Sequence, residues 1–117
     1  MAKRDITGAV DFSYLESFAG TDDSLIDEVL EIFREQAGLW SPMLNAESVG
    51  WRDAVHTVKG AARGVGAFAL GDACERAEQG GSLDAVRDAI DIALLDIAAY
   101  RHERMLRALK TPRETFG

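Results

Sequence analysis

Apolar residues recur along most of this chain at the three-and-four spacing of helices that bury one face. The first such stretch runs from about Asp11 to Ala19, with Phe12, Leu15 and Phe18 on one side. Gly20-Thr21-Asp22-Asp23 reads as a turn in which Asp22 or Asp23 caps the next helix. That second helix is expected from about Asp23 to Ala46, with Ile26, Val29, Leu30, Phe33, Ala37, Trp40 and Leu44 inward. Pro42 lies inside it and should kink it or reset its hydrogen bonding. Ser48-Val49-Gly50 breaks the pattern. A third helix is expected from about Trp51 to Gly66, with an apolar stripe of Trp51, Val55, Val58, Ala62 and Val65. A fourth runs from about Phe68 to Gln79, with Leu70, Ala73, Cys74 and Ala77 inward, and stops at Gly80-Gly81. The last starts near Ser82, as N-cap, and reaches about Leu109, with Leu83, Val86, Ile90, Leu94, Ile97 and Met105 in its apolar set.

One short and four longer amphipathic helices with short connections predict an all-α fold: an up-and-down four-helix bundle with a short additional N-terminal helix on one end or flank. A chain of 117 residues supports one domain, not two, and the stretch from Thr111 to Gly117 is expected to fray.

Composition adds mainly exclusions. Apolar residues at 47% and charged residues at 28% are ordinary for a soluble globular protein. A net charge of -7 argues against non-specific binding to nucleic acid or to anionic membranes. The start, Met1 to Asp5, is charged and no apolar h-region follows, and no apolar stretch approaches the roughly 18 residues that span a bilayer. The expectation is a cytoplasmic protein. Its single cysteine, Cys74, faces inward and suits packing better than chemistry. Two distant histidines and that cysteine make no metal-ligand set. No GxxxxGK[ST] loop is present, so ATP binding and self-phosphorylation are not indicated.

The candidate chemistry sits on the third helix, in Ala54 to Ala67. With the apolar stripe at zero and about 100° per residue, His56 falls roughly 140° away, toward solvent. Arg52, Lys59 and Arg63 fall at roughly 80° to 120°, beside it, and Gly60 and Ala67 at roughly 160° to 180°, on its other side. The histidine is thus expected to be exposed, edged by cations on one flank and almost free of side-chain bulk on the other. A neutral imidazole is a good nucleophile near physiological pH. Cations at neighbouring helical positions can neutralise and hydrogen-bond a phosphoryl group. Three glycines so close together have a cost, since each in a helix interior destabilises by about 1 kcal/mol relative to alanine. Gly60, directed away from the core, suggests close approach by another protein. Gly64 has two readings, partner approach or tight packing of a neighbouring helix, and Gly66 suits the helix end. His102, in Arg101-His102-Glu103-Arg104, lacks this context and reads as a solvated surface residue.

His56-Thr57-Val58-Lys59-Gly60-Ala61-Ala62, followed by Val65-Gly66-Ala67, resembles the histidine motif of histidine-containing phosphotransfer (HPt) domains in their free-standing, single-domain form. Leu70, Cys74 and Glu78 also match that family's pattern in the following helix. The resemblance implies a four-helix bundle with an exposed, phosphorylated His56, contact of Lys59 with the phosphoryl group, and clearance for a partner at Gly60. Arg63 and Gly64 depart from the family, which more often has a small residue and a polar one such as Asn there.

The second helix carries another apolar stripe, Leu25, Ile32, Leu39 and Met43, about 100° from the first. Cover by the first helix and docking of a partner, with Leu39 and Met43 at the contact, are both open. The resulting expectation is a phosphocarrier without a kinase module. It would shuttle a phosphoryl group through His56 between response-regulator receiver domains, with a hybrid histidine kinase as a further partner. Arg52, Arg63, Gly64 and Ala67 would surround the phosphoryl site. Acidic receiver sites would be steered by the cationic rim. No cofactor is expected on this chain, Mg²⁺ is expected on the receiver, and a monomer is expected. The alternatives are a non-phosphorylated helical adaptor, and a phospho-accepting domain served directly by a kinase in trans.

Overall fold

Three of the expected helix starts rest on a side-chain oxygen that accepts an otherwise unpaired backbone N–H. In the computed structural model, which describes residues 9–20 and 22–110 without the side chains of Phe18 and Lys110, helix α1 spans Phe12–Ala19. Asp11 caps it, accepting from the Tyr14 N–H. Helix α2 spans Asp23–Trp40, with Asp22 accepting from the Leu25 N–H at 3.0 Å. Helix α5 spans Leu83–Lys110, and the Ser82 hydroxyl accepts from the Ala85 N–H at 3.1 Å. Between them lie α3, Trp51–Val65, and α4, Phe68–Glu78. Phe18's side chain and residues 111–117, for which inward packing and fraying were expected, lie outside the described residues.

The second helix ends six residues earlier than the periodicity suggests. Proline has no N–H to continue the ladder, so α2 stops at Trp40 and Ser41–Met43 form a 3₁₀ turn with Pro42 in its first positions. Leu44 follows, fully buried, and anchors the turn to the core. Arg87 of α5 donates to the Leu44 carbonyl.

Helix α3 packs on α4 and α2, and α5 packs on the same two, so α3 and α5 stand diagonally across the bundle. Val55, Val58 and Ala62 of α3, Leu30 of α2, Leu70 and Cys74 of α4, and Val86, Ile90 and Ile97 of α5 are buried in one core. Met105, assigned to the inward set, is half exposed, because the last turns of α5 run past the packed region. Helix α1 lies against α2 and α3. Phe12 stacks on Tyr100, with ring centroids 3.8 Å apart. The Tyr100 hydroxyl donates to Glu16, and the Val10 N–H donates to the fully buried Asp96 at 3.2 Å. The N-terminal segment is therefore latched to α5 by polar contacts that no apolar periodicity reveals.

Candidate functional site

Helix α3 ends where its glycine ends it. Gly66 adopts φ +90, a left-handed conformation that side chains resist, and its carbonyl accepts from the Asp11 N–H at 2.8 Å. A Cβ there would meet the Asp11 carbonyl oxygen at 2.6 Å. The chain reverses directly into α4, so the two helices run antiparallel and rising positions on α3 face falling positions on α4.

His56 projects from α3 with 77% of its side chain exposed. Its Nδ1 lies 3.4 Å from Oε2 of Glu78, the last residue of α4. The same carboxylate receives Lys59, whose Nζ is 2.6 Å from Oε1. One turn further along, Arg63 pairs with Glu75 at 2.7 Å and approaches Asp72 at 3.9 Å. The Arg63 side chain lies flat over Gly71, where a Cβ would come within 3.0 Å of its Cγ and Nε. Arg52 turns its guanidinium over the Trp51 ring, 4.4 Å from the centroid, and shares a shallow groove with Glu78.

These contacts correct the picture of an open cationic rim. Lys59 and Arg63 do flank His56, but α4 supplies a carboxylate to each. Lys59 holds the Glu78 carboxyl below its ordinary 4.5, with a smaller contribution from His56. Arg63 does the same for Glu75. The two acids were spaced three apart on the helix after a short reversal, opposite two cations spaced four apart. That was the available signal. Glu78 had been noted only as a pattern match, and its contact with both His56 and Lys59 was missed.

Gly60 and Gly64 both face open space, with nothing within 4 Å of a built Cβ. The tight-packing reading of Gly64 therefore falls away. Ala67 is a second correction. It is fully buried at the start of α4, not beside His56. Its expected angle assumed a helix that continued, whereas Gly66 had already turned the chain. Leu39 and Met43 are exposed, as are Leu25 and Ile32, so α1 does not cover this stripe. Met43 lies against Gly50, which precedes the first turn of α3. His102 is exposed. Cys74 is fully buried and its thiol is pushed up to about 11 by burial, which keeps it protonated and unreactive. Among the described residues, no three His, Cys, Asp or Glu side chains are grouped to hold a metal ion, and no helix is long and apolar enough to cross a membrane.

An all-helical bundle presenting an exposed histidine beside a lysine and a bare glycine face defines a class. Residues 24–111 match the model of the Hpt domain. The chain is also similar to the histidine phosphotransferase ShpA from Caulobacter crescentus, in its crystal structure. Identity is 67%, the TM-score is 0.85, and the match covers 88% of this chain and all of that one. Comparison with curated proteins gave no match. The chain belongs to the Hpt family, whose members act as histidine phosphocarriers in phosphorelays with receiver domains and histidine kinases.

Proposed function

We propose that His56 is the residue that carries the phosphoryl group, received from the phospho-aspartate of one receiver domain and passed to the aspartate of another. The observation that supports this most is the combination of an exposed imidazole with a carboxylate at its Nδ1. Glu78 favours the tautomer with the proton on Nδ1, which leaves the Nε2 lone pair directed to solvent. Nε2 then attacks phosphorus in line, the N–P bond forms, the acyl-phosphate O–P bond breaks, and the aspartate carboxylate leaves. The Nδ1 proton stays against Glu78, which balances the positive charge that the ring acquires. Transfer onward is the same step in reverse on a second receiver.

Lys59 neutralises phosphoryl oxygens after transfer, moving from Glu78 to the new anion one turn from it. Arg52 and Arg63 serve as more distant positive charges, and Gly60 and Gly64 leave room for the receiver. Met43, next to the α3 start, and the exposed Leu39, one turn back on α2, offer it apolar contacts. A Mg²⁺ ion, expected on the receiver, would supply charge stabilisation from the partner's side, and no cofactor is expected on this chain.

The test is transfer of radiolabelled phosphate from a panel of phosphorylated receivers to wild type and to His56→Gln. Acid-labile label on wild type alone is expected. Label on the variant would place the reaction on another residue. No label from any receiver, with the protein folded, would favour the adaptor reading.

A further inference from the structure

The cations that border His56 are not equally available. Lys59 is held at 2.6 Å by Glu78, and Arg63 at 2.7 Å by Glu75. Arg52 is exposed, and among the described residues no carboxylate pairs with it. Its guanidinium rests instead over the ring of its own neighbour, Trp51. The acids around it are engaged elsewhere. Glu78, across the shallow groove that Arg52 helps to line, is shared by Lys59 and His56, and Asp84 on the same groove receives Arg87. An exposed aromatic ring holds a cation weakly, whereas a carboxylate that presents both oxygens to a guanidinium holds it far better. Arg52 is therefore the cation beside His56 that a second protein can take without breaking an ion pair of this chain.

Its position suits that role. Arg52 lies four residues before His56 and Lys59 three after it, so the three share one face of α3. A receiver seated on His56 covers a turn in each direction, and with it Arg52. Gly80 and Gly81 border the groove opposite, and nothing lies within 4 Å of a Cβ built at Gly80. The groove thus has room for a side chain from outside.

Charge complementarity names the occupant. The pairs Lys59–Glu78, Arg63–Glu75 and Arg87–Asp84 cancel, Asp53 and Asp72 add negative charge, and the whole chain carries -7. Toward a receiver with carboxylates around its phospho-accepting aspartate, this face is repulsive except at Arg52. We propose that Arg52 is the residue by which this chain recognises its receiver, leaving the Trp51 ring for a carboxylate at the edge of the receiver's active site. The inference rests on the reading that His56 carries the phosphoryl group between receivers. Arg52 contacts the partner protein and not the phosphoryl group. It sets which receiver docks and how tightly, and the chemistry at His56 is left to Lys59 and Glu78.

The test uses the full chain and the receiver of the panel that labels wild type fastest. Arg52→Gln is expected to raise the receiver concentration at half-maximal transfer about tenfold and to lower the saturated rate by no more than about twofold. The helical circular-dichroism spectrum should be unchanged. Added salt should weaken docking of wild type more than docking of the variant. Arg52→Lys keeps the charge but loses the planar fork, and should recover only part of the loss. Arg52→Glu should be rescued by changing one acidic residue at the edge of the receiver's site to arginine. Half-saturation of Arg52→Gln at the wild-type concentration would overturn the proposal while leaving His56 as the phosphocarrier. A fall in saturated rate alone would also overturn it, by placing Arg52 on the phosphoryl group. Full recovery by Arg52→Lys, or failure of every receiver change to rescue Arg52→Glu, would replace the paired carboxylate with long-range attraction. Absence of label on wild type from every receiver would overturn the phosphocarrier reading and this inference with it.

Discussion

Two outward faces of the bundle point away from each other and differ in almost every respect. Around His56, α3 is pared down. Gly60 and Gly64 stand open, and Lys59 and Arg63 are each held by a carboxylate of α4. Along α5 the outward face carries Ile92, Leu95, Leu106 and Leu109, large and exposed. A bare, polar face lets another protein come close and leave again with little apolar surface to uncover. An apolar face gains free energy in proportion to the area it covers and favours a lasting contact. The α3 face also has a cost in stability that the α5 face does not, since each open helical glycine forgoes about 1 kcal/mol of helix preference. That cost is consistent with a surface kept bare for function.

After the complete loss of label expected for His56→Gln, the largest effect should come from Lys59→Ala. Transfer should slow by about tenfold, equivalent to roughly 1.4 kcal/mol of barrier, because the cation one turn from the imidazole, held on the same carboxylate, is gone. The helical spectrum should be unchanged. Full-speed transfer by this variant would remove Lys59 from the mechanism and make the α3 face a docking surface only. Glu78→Ala should slow transfer by a few-fold. Its sharper readout is the imidazole tautomer, measured by nitrogen NMR, which should move away from the Nδ1–H form. An unchanged tautomer would mean that the 3.4 Å contact does not orient the ring.

Gly60→Ala separates the cost of the bare face from its use. With open space at the Cβ position, the fold should gain about 0.5–1 kcal/mol in denaturant titration. Transfer should nevertheless slow, as the methyl group meets the incoming receiver. A variant that is both more stable and fully active would show that clearance at this position is not needed.

The smallest effect is on acid stability. Glu78 and Glu75 are pulled below the ordinary carboxylate value by Lys59 and Arg63. Glu31 is held at about 2 by Arg34 and Arg101. A group whose folded pKa is depressed contributes stability above its unfolded value and loses that contribution as pH falls toward the folded one. The melting temperature should therefore decline as pH drops below 4.5, and Glu31→Gln should flatten the part of the decline that reaches toward pH 2. All three carboxylates are solvated, so the shift should be modest and should shrink in high salt. A melting temperature that rises on acidification would contradict these pairings.

Periodicity and punctuation made most of this legible in advance. The capping residues Asp22 and Ser82, the end of α3 at Gly66, the buried stripe from Val55 to Val65 and the exposure of His56 all follow from spacing along a single helix. Such spacing needs only the helical pitch and the chemistry of a few residues. The failures occurred where that pitch stops or where a second helix intervenes. Pro42 reset the hydrogen bonding to a 3₁₀ turn, one of its two expected effects, but α2 thereby ended at Trp40 rather than near Ala46, and Ala67 left the face that its angle predicted because Gly66 had already reversed the chain.

Sequence alone determined that the chain is an all-helical bundle with an accessible histidine, a lysine one turn on and bare glycines beside them. Tertiary structure decided what those side chains meet. It set Glu78 against both His56 and Lys59, seated Arg63 over Gly71, and left the second apolar face of α5 uncovered. The physical reason is that helical periodicity fixes which residues share a face of one helix. Only the packing of helices against each other fixes which face meets which neighbour and at what register.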